Sequence, residues 1–139
     1  MLIFNLIIFL ISCKNTHKEI AINRINLSQK DTVLSYNIYK DDGDIECKKW
    51  STKKHLNILN FVRNFKPIKP IEWNQCFGQY PCGIKGVLII NKKKYNYNLN
   101  SGGWMTLKHQ NKIKYLGDKN KNDTIYFISV YYCDEDWGD

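Results

Sequence analysis

The sequence predicts an α+β fold: an antiparallel sheet of about six to eight strands with one helix, over about residues 51–65, packed on it. Three features lead there. Short segments of alternating or β-branched apolar residues recur between turn signals along most of the chain. One segment has helical periodicity. With 139 residues there is room for a single domain, and 24% charged with 43% hydrophobic residues is a globular composition. Such a sheet is long enough to curl into a partial barrel.

The elements follow in order. Residues 14–18 (KNTHK) are polar and read as a tether. Residues 19–27 carry apolar Ile20, Ile22, Ile25 and Leu27, and the β-branched isoleucines among them favour a strand. In residues 31–39, Leu34, Tyr36 and Ile38 alternate with Ser35 and Asn37, the period of a half-buried strand. Asp41-Asp42-Gly43-Asp44 is a turn, and residues 45–50 read as its returning hairpin partner. Ser51 or Thr52 can cap the helix, on which Leu56, Leu59, Val62 and Phe65 form a stripe that Ile58 and Phe61 widen. Pro67 ends it, because the residue before a proline avoids the helical region. Residues 66–71 are then extended.

The second half reads as a meander. Residues 87–90 are a continuous apolar run, and Asn91-Lys92-Lys93-Lys94 is a turn. Tyr95, Tyr97 and Leu99 alternate with Asn96, Asn98 and Asn100. Ser101-Gly102-Gly103 turns the chain again, and residues 104–107 and 112–116 form a hairpin around His109-Gln110-Asn111. Residues 124–132 are apolar on both faces and predict a central strand.

The first thirteen residues, MLIFNLIIFLISC, stand apart. Eleven are apolar and charge begins at Lys14. A run of about ten is too short to cross a bilayer, which takes about 20 residues, and has the length of a signal-peptide hydrophobic region. The end of the run, Leu10-Ile11-Ser12-Cys13, resembles the lipobox of bacterial lipoproteins. That resemblance implies cleavage before Cys13, acylation of its thiol and amine, and a domain held at the membrane by lipid alone. Two or three acyl chains anchor firmly, since each buried methylene contributes ~0.8 kcal/mol. The implied organisation is a signal peptide at 1–12, a lipidated tether at 13–18 and one domain at 19–139. Lys14 stands where an Asp would favour inner-membrane retention, so the resemblance points to the outer membrane of a cell that has one.

Removing Cys13 leaves Cys47, Cys76, Cys82 and Cys133, an even number in an exported domain, and two disulfides are expected. The pairing favoured by spacing is Cys76–Cys82, across the turn-forming CFGQYPC, with Cys47–Cys133. Zinc is disfavoured, because C-x5-C with distant single cysteines lacks the short spacing of structural sites.

No P-loop, dinucleotide fingerprint, HExxH or GxSxG occurs in the sequence. Ser101-Gly102-Gly103 reads as a turn rather than a nucleophile loop, and a catalytic cysteine with His55 or His109 is disfavoured. Asp41, Asp42, Asp44 and Glu46 lack the ligand order of an EF-hand loop. No cofactor or metal is expected. The net charge of +8 and the Lys92, Lys93, Lys94 turn would suit nucleic acid, but the exported setting argues for an anionic envelope surface or an acidic protein instead, and a merely solvated turn is favoured over either. Trp104 and Trp137 join those lysines as candidate recognition residues, Tyr and Trp being favoured at interfaces. The composite expectation is a lipid-anchored envelope protein acting as a binding module, an inhibitor or immunity protein against an envelope-acting enzyme. The alternatives are a hydrolase using Asp31, Asp44 or Glu72 and a structural lipoprotein.

Overall fold

A computed structural model describes residues 25–50, 56–120, 125–129 and 131–134. Six strands form one antiparallel sheet: β1 (Thr32–Lys40), β2 (Lys66–Pro67), β3 (Cys82–Ile90), β4 (Lys93–Asn100), β5 (Trp104–His109) and β6 (Lys112–Gly117). Their spatial order is β1-β3-β4-β5-β6-β2. The sheet is open, with β1 and β2 at its edges, so it does not close into a barrel. Three short helices accompany it: α1 (Ile45–Lys49), α2 (Ile58–Asn64) and α3 (Pro70–Cys76). The α+β class holds, with more helices than the single one expected.

The pleat sorts side chains onto two faces. Register pairs Ile84 with Leu99, Leu99 with Met105, and Met105 with Leu116. These residues, with Leu88, Tyr97 and Leu107, line the first face, where α1, α2 and Phe127 cover them. Phe61 of α2 and Phe65, its C-cap, meet Phe127 at ring separations of 5.5 and 5.8 Å. The second face carries Trp104, Tyr115 and Gly117 at one side. There α3 and Tyr131 pack a smaller core of Ile68, Cys76, Phe77, Trp104 and Tyr131. Gly117 is required at that spot: a Cβ would stand 2.3 Å from the Phe77 ring.

Each core has its own disulfide, Cys47–Cys82 on the first face and Cys76–Cys133 on the second. Two disulfides form from the four expected cysteines, but neither expected pair, Cys76–Cys82 or Cys47–Cys133, occurs: the partners are exchanged. Pleating is the reason. Cys82 points with Ile84 to the first face, whereas Cys76, six residues away in sequence, ends the helix lying on the second. The sheet stands between them.

Residues 45–50 are a helix and its cap rather than a returning strand. The Asp44 carboxylate accepts from the Cys47 amide at 2.8 Å, the pattern of an N-cap. The helix expected over 51–65 is realised as α2 from Ile58, capped by Asn57, whose side chain accepts from the Asn60 amide at 3.1 Å. Ser51 and Thr52 lie outside the described residues. Pro67 terminates α2 as expected. Residues 70–76 form α3, signalled by Pro70 at the first helical position and Glu72 at the third, a pattern the extended reading passed over.

The central strand expected over 124–132 is the largest departure. Residues 125–129 and 131–134 join no strand. This segment instead crosses the sheet end by the β4–β5 turn. The Ile128 amide donates to the Ser101 carbonyl at 2.7 Å, and the Tyr132 amide to that of Cys76 at 3.3 Å. Phe127 enters the first core and Tyr131 the second. It is apolar on both sides because it serves two cores, not because two layers sandwich it.

Candidate functional site

Beyond the area under α3, the second face continues across β1, β3 and β4, and among the described residues nothing covers it. Ser35, Asn37 and Tyr39 of β1, Lys85 of β3, and Asn96 and Asn98 of β4 line a shallow depression of about 650 Å³ there. They share a face because Ser35 pairs with Val87, Asn37 with Lys85, Lys85 with Asn98, and Val87 with Asn96.

Tyr39 organises one end. Its ring reaches across β3, where a Cβ on Gly83 would come within 2.7 Å of the phenol oxygen. A glycine at this position is what lets the ring approach the sheet. The hydroxyl donates to Asn98 Oδ1 at 2.9 Å and accepts from Asn100 Nδ2 at 3.4 Å. Asn100 is buried, and its amide is fully committed. Nδ2 also donates to the Tyr80 carbonyl at 2.6 Å, while Oδ1 accepts from the Gly102 and Tyr80 amides at 2.9 and 3.3 Å. The Lys85 ammonium stands 5.6 Å from the Tyr39 ring centre. Burial raises the Tyr39 hydroxyl above its ordinary pKa, so it remains a neutral donor.

Along β4 the three asparagines grade from exposed Asn96 through half-buried Asn98 to buried Asn100. The inner one donates to the Tyr39 hydroxyl, which in turn donates to Asn98, while Asn96 stands exposed. Tyr97, on the opposite side of β4, sends its hydroxyl to the Ser35 carbonyl at 3.0 Å, and burial pushes its pKa up to about 12. Depression and core therefore share the same β1 backbone.

The residues singled out from the sequence are dispersed. Trp104 is 5% exposed, and its indole donates to the Gly78 carbonyl at 2.9 Å. It is a core residue of the second face and offers no recognition surface. Its neighbour Trp73 packs edge-on at 5.3 Å and closes it off. Lys92, Lys93 and Lys94 are exposed at the β3–β4 hairpin tip, at the far end of the strands from Tyr39. Cys13 and Trp137 lie outside the described residues.

The carboxylates of the hydrolase reading hold structure. Asp31 accepts from the Ser28 amide at 2.7 Å, the Ser28 hydroxyl at 3.0 Å and the Asn91 amide at 2.8 Å. The Ser28 amide is the chief cause of its lowered pKa. Asp44 caps α1. Glu72, 4% exposed, forms an ion pair with Lys119 and accepts from the Lys69 amide at 3.4 Å. His109 Nδ1 lies 2.8 Å from the Lys94 carbonyl, with its ring against Tyr95. Ser101 is fully buried in its turn, its hydroxyl 3.1 Å from Cys82 Sγ. Among the described residues, no cluster of three His, Cys, Asp or Glu side chains is placed to hold a metal.

Sequence reasoning missed Ser35, Asn37, Tyr39 and Lys85. The asparagine alternation of β4 was visible, and so was the polar phase of β1. Their adjacency was not, because β3 inserts between them from almost fifty residues downstream. No family model, no curated protein and no solved structure matches the chain.

Proposed function

We propose that the protein is a lipid-anchored component of the cell envelope that works by binding. The uncovered half of the second sheet face docks a protein partner, in the manner of an inhibitor or immunity protein held near an envelope-acting enzyme. One observation carries the docking half of this reading. A polar surface of amides and one tyrosine, its Tyr39–Asn98 pair held by the buried Asn100, lies open among the described residues beside an aromatic core that is tightly covered. Preset donors and acceptors on a rigid scaffold lower the ordering cost of association. The lipobox-like LISC ending at Cys13 supports the anchored half, and two disulfides suit an oxidising compartment.

Two measurements test the halves separately. Mass spectrometry of the mature protein should find Cys13 as its first residue with acyl mass attached; a product that keeps residues 1–12 unacylated ends the anchored reading. For docking, unreduced protein immobilised on beads should retain one envelope protein in fixed ratio. Asn37→Arg and Asn96→Arg, both at exposed positions, should each abolish that retention. Retention indifferent to both changes would remove this face from the function.

A further inference from the structure

Charge is distributed unevenly along the strands. One end of the sheet holds the β3–β4 and β5–β6 hairpin tips and the start of β1. Lys30, Lys92, Lys93, Lys94, Lys108 and Lys112 are all exposed there. In residues 25–34, 87–96 and 105–115, which build this end, Asp31 is the one acidic residue. Its carboxylate is already turned inward onto Ser28 and Asn91. The other end mixes signs: Asp41, Asp42 and Glu46 are exposed there among Lys40, Lys48 and Lys49.

Two further observations mark the lysine end. Exposed Ile113 of β6 stands beside Lys108, its cross-strand partner on β5, an apolar side chain in a cationic setting. And the described chain begins at this end. Asn91 Nδ2 donates to the Asn26 carbonyl at 3.2 Å, and Ser28 is fastened to Asp31. Cys13 is twelve residues before Ile25, a reach of at most about 40 Å.

We infer that the lysine end docks on anionic phospholipid headgroups. Lysines near such a surface each add roughly fivefold to partitioning, and lipid anchors are reinforced by basic patches that meet the same membrane. The domain then stands on its hairpin tips, with its strands along the membrane normal. Tyr39, at the opposite end of β1, points away from the bilayer. The inference rests on the anchored reading for its setting, but the electrostatics can be measured without an anchor.

The experiment uses the full chain with Cys13→Ser, so that no thioether can form, and compares two vesicle types. One is pure phosphatidylcholine; the other contains about a third phosphatidylglycerol. The ratio of the two partition coefficients cancels whatever residues 1–12 contribute to both. We expect a preference for the anionic vesicles that falls as salt rises. The triple change Lys92→Gln, Lys93→Gln, Lys94→Gln should cut it by more than about tenfold. The same positions changed to Arg should keep it, and Lys40→Gln, Lys48→Gln, Lys49→Gln at the other end should leave it near the starting value. Circular dichroism of the glutamine variant establishes that the fold persists. No anionic preference, or equal loss from both glutamine triples, overturns the inference. Absence of acyl mass on wild-type Cys13 would instead sink the anchor and leave this ratio standing.

Discussion

The second face of the sheet is two surfaces on one set of strands. Toward β5 and β6 it presents Trp104, Tyr115 and Gly117, and α3 covers them. Toward β1 and β4 it presents Ser35, Asn37, Asn96 and Asn98 and stays open. Strand geometry is common to both halves, so what differs is the side chains and the presence of a lid. The covered half has aromatic rings fitted edge to face, at 5.3 Å for Trp73 on Trp104. The open half has amides whose hydrogen-bonding capacity would be costly to bury unpaired. The sheet is therefore not short of a helix over β1 and β4; that surface has the composition of one meant for water or a polar partner.

The sharpest way to break this contrast is to unfasten the lid. Replacing Cys76 and Cys133 by Ala should cost about 4 kcal/mol on the chain-entropy estimate for a separation of 57, and replacing Cys47 and Cys82 about as much for a separation of 35. The two should differ in kind. Without Cys76–Cys133, α3 and residues 131–134 lose their bond to each other, and Trp104 fluorescence should report exposure before the first core melts. Without Cys47–Cys82, unfolding should remain a single transition. Denaturant titration followed by fluorescence and far-UV dichroism distinguishes them. Coincident transitions in both variants would mean that the two cores are one cooperative unit.

A smaller break comes from the ion pair under the lid. Lys119 joins Glu72 of α3 and stands 5.5 Å from the Tyr131 ring centre. Lys119→Met leaves a buried carboxylate unpaired and should cost about 3 kcal/mol. Adding Glu72→Gln should recover a good part of that, measured as a double-mutant cycle. On the open half, Tyr39→Phe removes the hydroxyl that bridges Asn98 and Asn100 and should cost only about 1 kcal/mol. A loss for Tyr39→Phe as large as that for Lys119→Met would erase the distinction between a clamped and an open half.

The sequence made part of this contrast readable. Local periodicity located β1, β4, β5, β6 and the end of α2, because alternation and proline act over a few residues. The Asn96–Asn98–Asn100 row was visible for the same reason. An even cysteine count, read with the exported setting that the LISC ending implies, foretold two bridges. What required three dimensions was pairing across the sheet. Cys76 and Cys82 are close in sequence and lie on opposite faces. Asn37 and Asn98 are distant in sequence and lie one strand apart. The sequence of residues 124–132 mimics a buried strand because Phe127 and Tyr131 fill separate cores. Trp104, a candidate recognition residue in the sequence, is buried because Pro70 and Glu72 start a helix that lands on it.

The smallest effect lies where the open half runs out, at the β3–β4 turn. Asn91 and Lys92 both have positive φ, 50° and 65°, the pattern of a two-residue hairpin turn that favours Asn-Gly. Asn tolerates this region, but a lysine held there costs roughly 1 kcal/mol in Cβ crowding. Lys92→Gly should therefore raise stability by about 0.5 kcal/mol, after the extra freedom of glycine in the unfolded chain is subtracted. Thermal or urea unfolding resolves that sign. The same change removes one cation from the lysine end, so anionic-vesicle partitioning should drop while stability rises. Opposite movements would mark Lys92 as a residue kept for its charge against the preference of its turn; stability and partitioning falling together would mean that the turn itself needs the lysine.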